Sequence, residues 1–131
     1  MMTTLALLTT ALLFGGMVLY SFGFAAFLFT ALPAETAGPT IRRAFPHFYL
    51  FVIAGAGLSA VFLAPTDPTS AAIMVAIALT TIPTRQILMP AINAATDSGD
   101  KRRFGMLHAL SVVITLIHIV AAATVLHRFI G

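Results

Sequence analysis

Four long apolar runs, separated by short stretches rich in proline or charge, account for most of this chain. The first extends from about residue 5 to 32 without a charged side chain, the second from 48 to 64, the third from 68 to 89 and the fourth from 104 to 129. About 20 mostly apolar residues suffice to cross a bilayer. The pattern therefore predicts an all-α polytopic membrane protein, a four-helix transmembrane bundle forming one domain over residues 1–131. Pro33 and Pro65 read as stops for runs one and two. Asp67 before Pro68 predicts an N-cap followed by proline at the first helical position. Pro46 predicts a similar opening for run two. Pro83 and Pro90 interrupt run three, with Arg85 and Gln86 between them. A kink is expected at Pro83, with Arg85 close enough to the interface to snorkel. A signal peptide would carry positive charge before a shorter apolar core. Here the first charged side chain is Glu35, so run one is expected to be retained.

Two runs carry seams of small and large residues at spacings of four and three. Gly16, Tyr20, Gly23, Phe27 and Thr30 form one, and Phe48, Val52, Gly55, Ser59 and Phe62 the other. Small residues let helix backbones approach closely where the hydrophobic effect between helices is weak. Both are read as packing seams.

Composition narrows the class. Hydrophobic residues make up 60% and charged residues 8%, against about a quarter charged in soluble domains. The net charge is +3, but the basic residues flank apolar runs instead of forming a solvated stripe, so nucleic acid is not an expected partner. The absence of Cys excludes disulfides and thiolate chemistry. Six of the seven Lys/Arg residues (Arg42, Arg43, Arg85, Lys101, Arg102 and Arg103) lie in or beside the gaps after runs one and three, and only Arg128 lies at the opposite side. The positive-inside rule places these gaps in the cytoplasm and both termini on the non-cytoplasmic side. The alanine-rich composition suggests a bacterial cytoplasmic (inner) membrane.

The polar residues inside the runs are few. His108, Ser111, Thr115 and His118 fall within one arc of roughly 80° on run four, a stripe that must turn toward protein, water or a ligand. His47, His108, Arg85, Asn93 and Asp97 share the cytoplasmic level. The candidate site is therefore a polar cluster of Arg43, Arg85, Asn93, Asp97, His108 and Ser111, with Thr115 and His118 deeper. Three readings compete. One is interhelical hydrogen bonding with arginines anchored at lipid phosphates. Another is haem or copper held by His47 and His108, with Met89 and Met106 as soft ligands. The third is an anionic-ligand or lipid-headgroup site at the basic residues. No carboxylate lies within the runs, which gives little support to an enzyme or a carboxylate-based proton relay.

The segments Gly23 to Phe29, Arg43-Ala44-Phe45-Pro46-His47-Phe48-Tyr49, Arg85 to Asp97 and Phe104 to Ser111 resemble the membrane family labelled domain of unknown function 4149, related to the transmembrane protein 205 group. The resemblance implies a four-helix integral membrane protein and carries no catalytic residues. A looser similarity to copper-resistance-D-like membrane proteins bears on the metal reading. The expected function is a non-enzymatic accessory subunit of a membrane complex or a lipid or small-ligand binder. The alternatives are a haem or copper redox protein and a small transporter. The expected partners are the lipid bilayer and other membrane proteins or a second copy.

Overall fold

Backbone groups in lipid must be satisfied within their own segment, and the chain meets this requirement with helices alone. A computed structural model describes residues Met1–Gly131. It contains four helices, each long and apolar enough to cross a membrane: α1 (Met2–Ala31), α2 (Ala34–Leu63), α3 (Pro68–Asp97) and α4 (Lys101–Arg128). There are no strands. The chain is thus an all-helical integral membrane protein. Its connections are short, so successive helices run antiparallel. α1 lies against α2, α2 against α3 and α3 against α4, and α4 closes the ring on the first half of α1.

The α3–α4 turn shows how local chemistry sets this path. Gly99 has φ +70, a conformation that glycine adopts freely. It lets Asp100 N donate to Ala95 O at 3.0 Å and Gly99 N to Thr96 O at 3.2 Å, the paired bonds of a Schellman cap. Asp100 then caps α4 by accepting from Arg103 N at 3.0 Å. At the other end of α3, Asp67 accepts from Ser70 N at 3.1 Å with Pro68 in the first turn.

Two helices outrun their hydropathy. α2 begins at Ala34, not near Phe48, and α3 continues to Asp97, past Met89. A 30-residue helix is about 45 Å long against roughly 30 Å of hydrocarbon. The extra turns carry polar residues and lie beyond the apolar core, where a hydropathy pattern does not register them. Pro46 consequently does not open α2. It lies inside the helix, as does Pro39, and Pro33 takes the N-cap position.

Two turns are π-helical, Leu19–Phe24 in α1 and Thr84–Leu88 in α3. The second is bracketed by Pro83 and Pro90. A wider turn relieves the contact between a proline ring and the preceding turn. The first lies within the α1 seam. Gly16, Tyr20, Gly23 and Phe27 all line one groove against His47, Phe48 and Phe51 of α2, so the stripe expected from spacing continues through the π-turn. It opens toward its end, where Phe27 is 61% exposed and Thr30 is exposed outside the groove.

The core is concentrated away from that turn. Leu13, Met17, Val52, Leu63, Met74 and Val125 are almost fully buried. Phe48, Val52 and Ser59 are buried along α2, and Gly55 admits Leu13. Leu12, Leu19, Ile87 and Val120 point outward, at least 64% exposed, and form the lipid-facing surface.

An ion pair joins helices at each end. Arg42 on α2 meets Asp97 at 2.7 Å and Arg128 on α4 meets Asp67 at 3.0 Å. The first pair places the α1–α2 and α3–α4 turns at one end of the bundle, called here the basic end.

Two substitutions test this packing. A Cβ on Gly16 would stand 2.5 Å from the Phe51 ring, whereas one on Gly15 meets nothing within 4 Å. Gly16→Ala is expected to cost about 1–3 kcal/mol through overpacking, to be relieved by adding Phe51→Leu. Gly15→Ala should be neutral or stabilising by up to about 1 kcal/mol. Thermal unfolding in detergent measures all three.

Asp67 carries the second test. Side-chain bonds from Arg128 and Ser70 hold its carboxyl well below the ordinary value of 3.8. Its stabilising contribution is complete above that unfolded value and is lost as pH falls toward the depressed folded one. Asp67→Asn should lower Tm at pH 7 and flatten the Tm–pH curve on the acid side. An unchanged curve would show that the pair does not contribute.

Candidate functional site

At the basic end the four helices do not close on one another. Residues 2–18 of α1 pack against α4, whereas beyond its π-turn α1 follows α2. A cavity of about 770 Å³ lies in the resulting space and is lined by all four helices. This volume falls in the range of roughly 300–1,000 Å³ typical of small-molecule sites.

One wall is aromatic and apolar: Phe22 and Phe29 from α1, Phe45 from α2, Met89 from α3 and Phe104 from α4. The other carries Asn93 from α3 and His108, Ser111 and Thr115 from α4. On α4 the spacing of three and four puts these three on one face. Tyr49 enters from α2, with the residue only 6% exposed. The side chains of Tyr49, Asn93, His108 and Thr115 make no hydrogen bond within the protein, and the Ser21 hydroxyl is buried without a partner. Ser111 donates to His108 O on its own helix at 2.7 Å. The His108 ring stacks on Phe104, with centroids 5.4 Å apart. At the mouth, Arg42 and Asp97 both line the cavity and are joined by two parallel bonds of 2.7 and 2.9 Å.

The remaining residues expected from sequence lie elsewhere. Arg43 is exposed and outside the cavity, and its neighbour Arg42 takes the lining position. Arg85 donates from Nε to Pro46 O at 3.2 Å and from Nη1 to Gln86 at 3.0 Å. It ties α3 to α2 behind the cavity. His118 is 8% exposed and sits below the cavity floor, its Nε2 2.7 Å from Thr80 Oγ1. Thr80 Oγ1 also lies 2.7 Å from Ala76 O and donates there. The His118–Thr80 pair joins α4 to α3, an interhelical bond of the kind that holds membrane helices together. His127 is exposed at the far end.

His47 and His108 do not converge. His47 lines a separate, mostly apolar groove of about 640 Å³ between α1 and α2, together with Gly16, Tyr20 and Phe51. Met89 belongs to the cavity, but Met106 points outward, 64% exposed. No group of three or more His, Asp or Glu side chains lies together.

Phe45 and Tyr49 were not singled out as site residues by sequence, and Arg42 only as one of the six basic residues of the anionic-headgroup reading. Their spacing of three and four marks one helical face. That signal is readable only once α2 is known to begin before Phe48.

No curated protein and no solved structure matches the chain. The family model described as Domain of unknown function (DUF4149) matches residues 8–101. This span contains Arg42, Tyr49, Asn93 and Asp97 and ends before the α4 wall. Because the match covers well over half of a four-helix integral membrane protein, the chain belongs to the family described as Domain of unknown function (DUF4149).

Proposed function

We infer that this chain binds a small amphipathic molecule within the membrane, in the cavity at its basic end. The observation that carries this reading is the set of unpaired polar side chains (Tyr49, Asn93, His108 and Thr115) facing an aromatic wall in one cavity. Tyr49, His108 and Thr115 lie within the apolar runs, where polar groups are expensive unless satisfied, and a ligand with its own donors and acceptors satisfies them. The cavity does not continue through the bundle. Below Thr115 the interior is filled by the His118–Thr80 bond and by Met74, Ala122 and Val125. A closed floor favours binding over conduction.

The test is native mass spectrometry of the full chain purified in a mild detergent. The expected result is a co-purified amphiphile at one per chain. Thr115→Phe, which fills the floor, should reduce that adduct several-fold while Tm stays near wild type. An adduct-free wild-type spectrum, or an adduct indifferent to Thr115→Phe, would overturn the reading.

The charge balance supports an orientation with the basic end in the cytoplasm and both termini outside. The absence of Cys makes this directly measurable in intact cells with an impermeant maleimide. Gly131→Cys should label at once and Ser98→Cys only after permeabilisation. The reverse order would refute the orientation.

A further inference from the structure

We propose that the cavity takes a membrane amphiphile with an anionic headgroup, which enters sideways between α1 and α4 and displaces Asp97 from Arg42. This proposal rests on the binding reading above and adds the ligand's charge, its route and the residue that selects it.

The route follows from helix packing. α1 and α4 part beyond the π-turn of α1. Phe22 and Phe29 on one side of the gap, and Phe104 on the other, are at once cavity lining and at least 37% exposed. The aromatic wall is thus continuous with the lipid-facing surface. An acyl chain can pass from the bilayer to the cavity without crossing water or a polar barrier. A water-soluble molecule gains nothing from such an opening.

The charge follows from the end at which the cavity opens. Six Lys/Arg residues and three acidic ones (Glu35, Asp97 and Asp100) lie there, leaving an excess of three positive charges. The opposite end holds only Asp67 and Arg128, bonded to each other. A positive field concentrates anions at its mouth. Among the basic residues, Arg42 alone lines the cavity.

The exchange follows from how Asp97 is held. Its carboxylate has no partner but Arg42, and its side chain is 60% exposed. It is the last residue of α3, where the helix dipole disfavours negative charge. Exposed ion pairs of this kind are weak. Arg42 already presents the two-pronged geometry that a carboxylate or a phosphate accepts. A headgroup with either chemistry replaces Asp97 like for like, and Asp97 swings into water beside Lys101 and Arg102. The chemistry shared by a fatty acid and an anionic phospholipid is an oxyanion on an apolar chain. The experiment separates the two.

The delipidated full chain in detergent is titrated with palmitate, phosphatidylglycerol or phosphatidylcholine and read by native mass spectrometry. At least one of the two anionic probes should bind one per chain, and preference between them identifies the headgroup. Arg42→Gln should weaken that probe about tenfold, the scale of a lost two-pronged charged bond. Arg42→Lys should fall between, because it keeps the charge and loses the fork. Asp97→Asn should strengthen the probe several-fold by releasing Arg42. Phosphatidylcholine should respond to none of the three. Tm of each variant reports whether the fold is retained. Equal binding of all three probes, indifferent to Arg42 and Asp97 but still lost in Thr115→Phe, would overturn the anionic exchange and leave the binding reading standing. Binding indifferent to Thr115→Phe as well would overturn both.

Discussion

Two hydrogen bonds to the backbone of α2 govern how this bundle is arranged. Tyr20 donates its hydroxyl to Ala44 O at 2.9 Å, and Arg85 donates Nε to Pro46 O at 3.2 Å. Each donor arises from a π-turn, one on α1 and one on α3. Both acceptors lie in the turn of α2 around Pro46. The N–H that Pro46 lacks would have paired with Arg42 O, so Ala44 O and Pro46 O are not orphaned by the proline. They accept the side-chain bonds through the second lone pair that a backbone carbonyl carries. The stack of Tyr20 on Phe48, with centroids 5.0 Å apart, fixes the first clamp. Through it, α1 stays with α2 beyond its π-turn and so leaves α4.

The cavity is a consequence of that departure. On the side of the clamp away from the basic end, α1 packs on both α2 and α4 around Leu13 and Met17. Beyond it, α1 can satisfy only one neighbour. Irregular geometry in a membrane helix is tolerated where it serves packing or lines a cavity, and here the π-turn of α1 does both. Its residue Ser21 contributes a buried hydroxyl with no partner to the cavity wall. The same physics explains why the polar stripe of α4 splits. His118 lies where the helices close and finds Thr80. His108 and Thr115 lie where they part and find no partner within the protein.

Much of this was legible in the sequence, and the illegible part has a common cause. The sequence pattern reveals the number of helices, the Asp67-Pro68 cap and which polar residues share the basic end, because hydropathy and capping are local, but not which of those residues meet. The choice of Arg42 over Arg43 depends on helix phase, and phase could not be set while α2 was expected to begin beside Phe48. Adjacent residues differ by about 100° around a helix, so an error in the start exchanges a lining residue for an exposed one. The seam from Gly16 to Phe27 was legible from spacing and lines one groove against α2, although the π-turn within it carries no local signal. The separation of His47 from His108 is likewise a matter of which face each presents, although their depth was readable from chain position.

The two ion pairs use the same residue types, and their settings differ in a way that bears on function. Asp67 stands at a helix N-terminus, where the dipole favours its charge. It accepts from Ser70 twice, at 3.1 and 2.6 Å, as well as from Arg128. Losing Arg128 would leave it capped and satisfied. Asp97 stands at a helix C-terminus with Arg42 as its single partner. Nothing else in the protein holds either member in place, and both are more than 40% exposed. An interaction that serves only to fasten helices gains from redundancy, as at Asp67. A pair across a cavity mouth that lacks redundancy is suited to exchange. The sealed end and the open end of this bundle are thus distinguished by what surrounds each aspartate, not by the pairing itself.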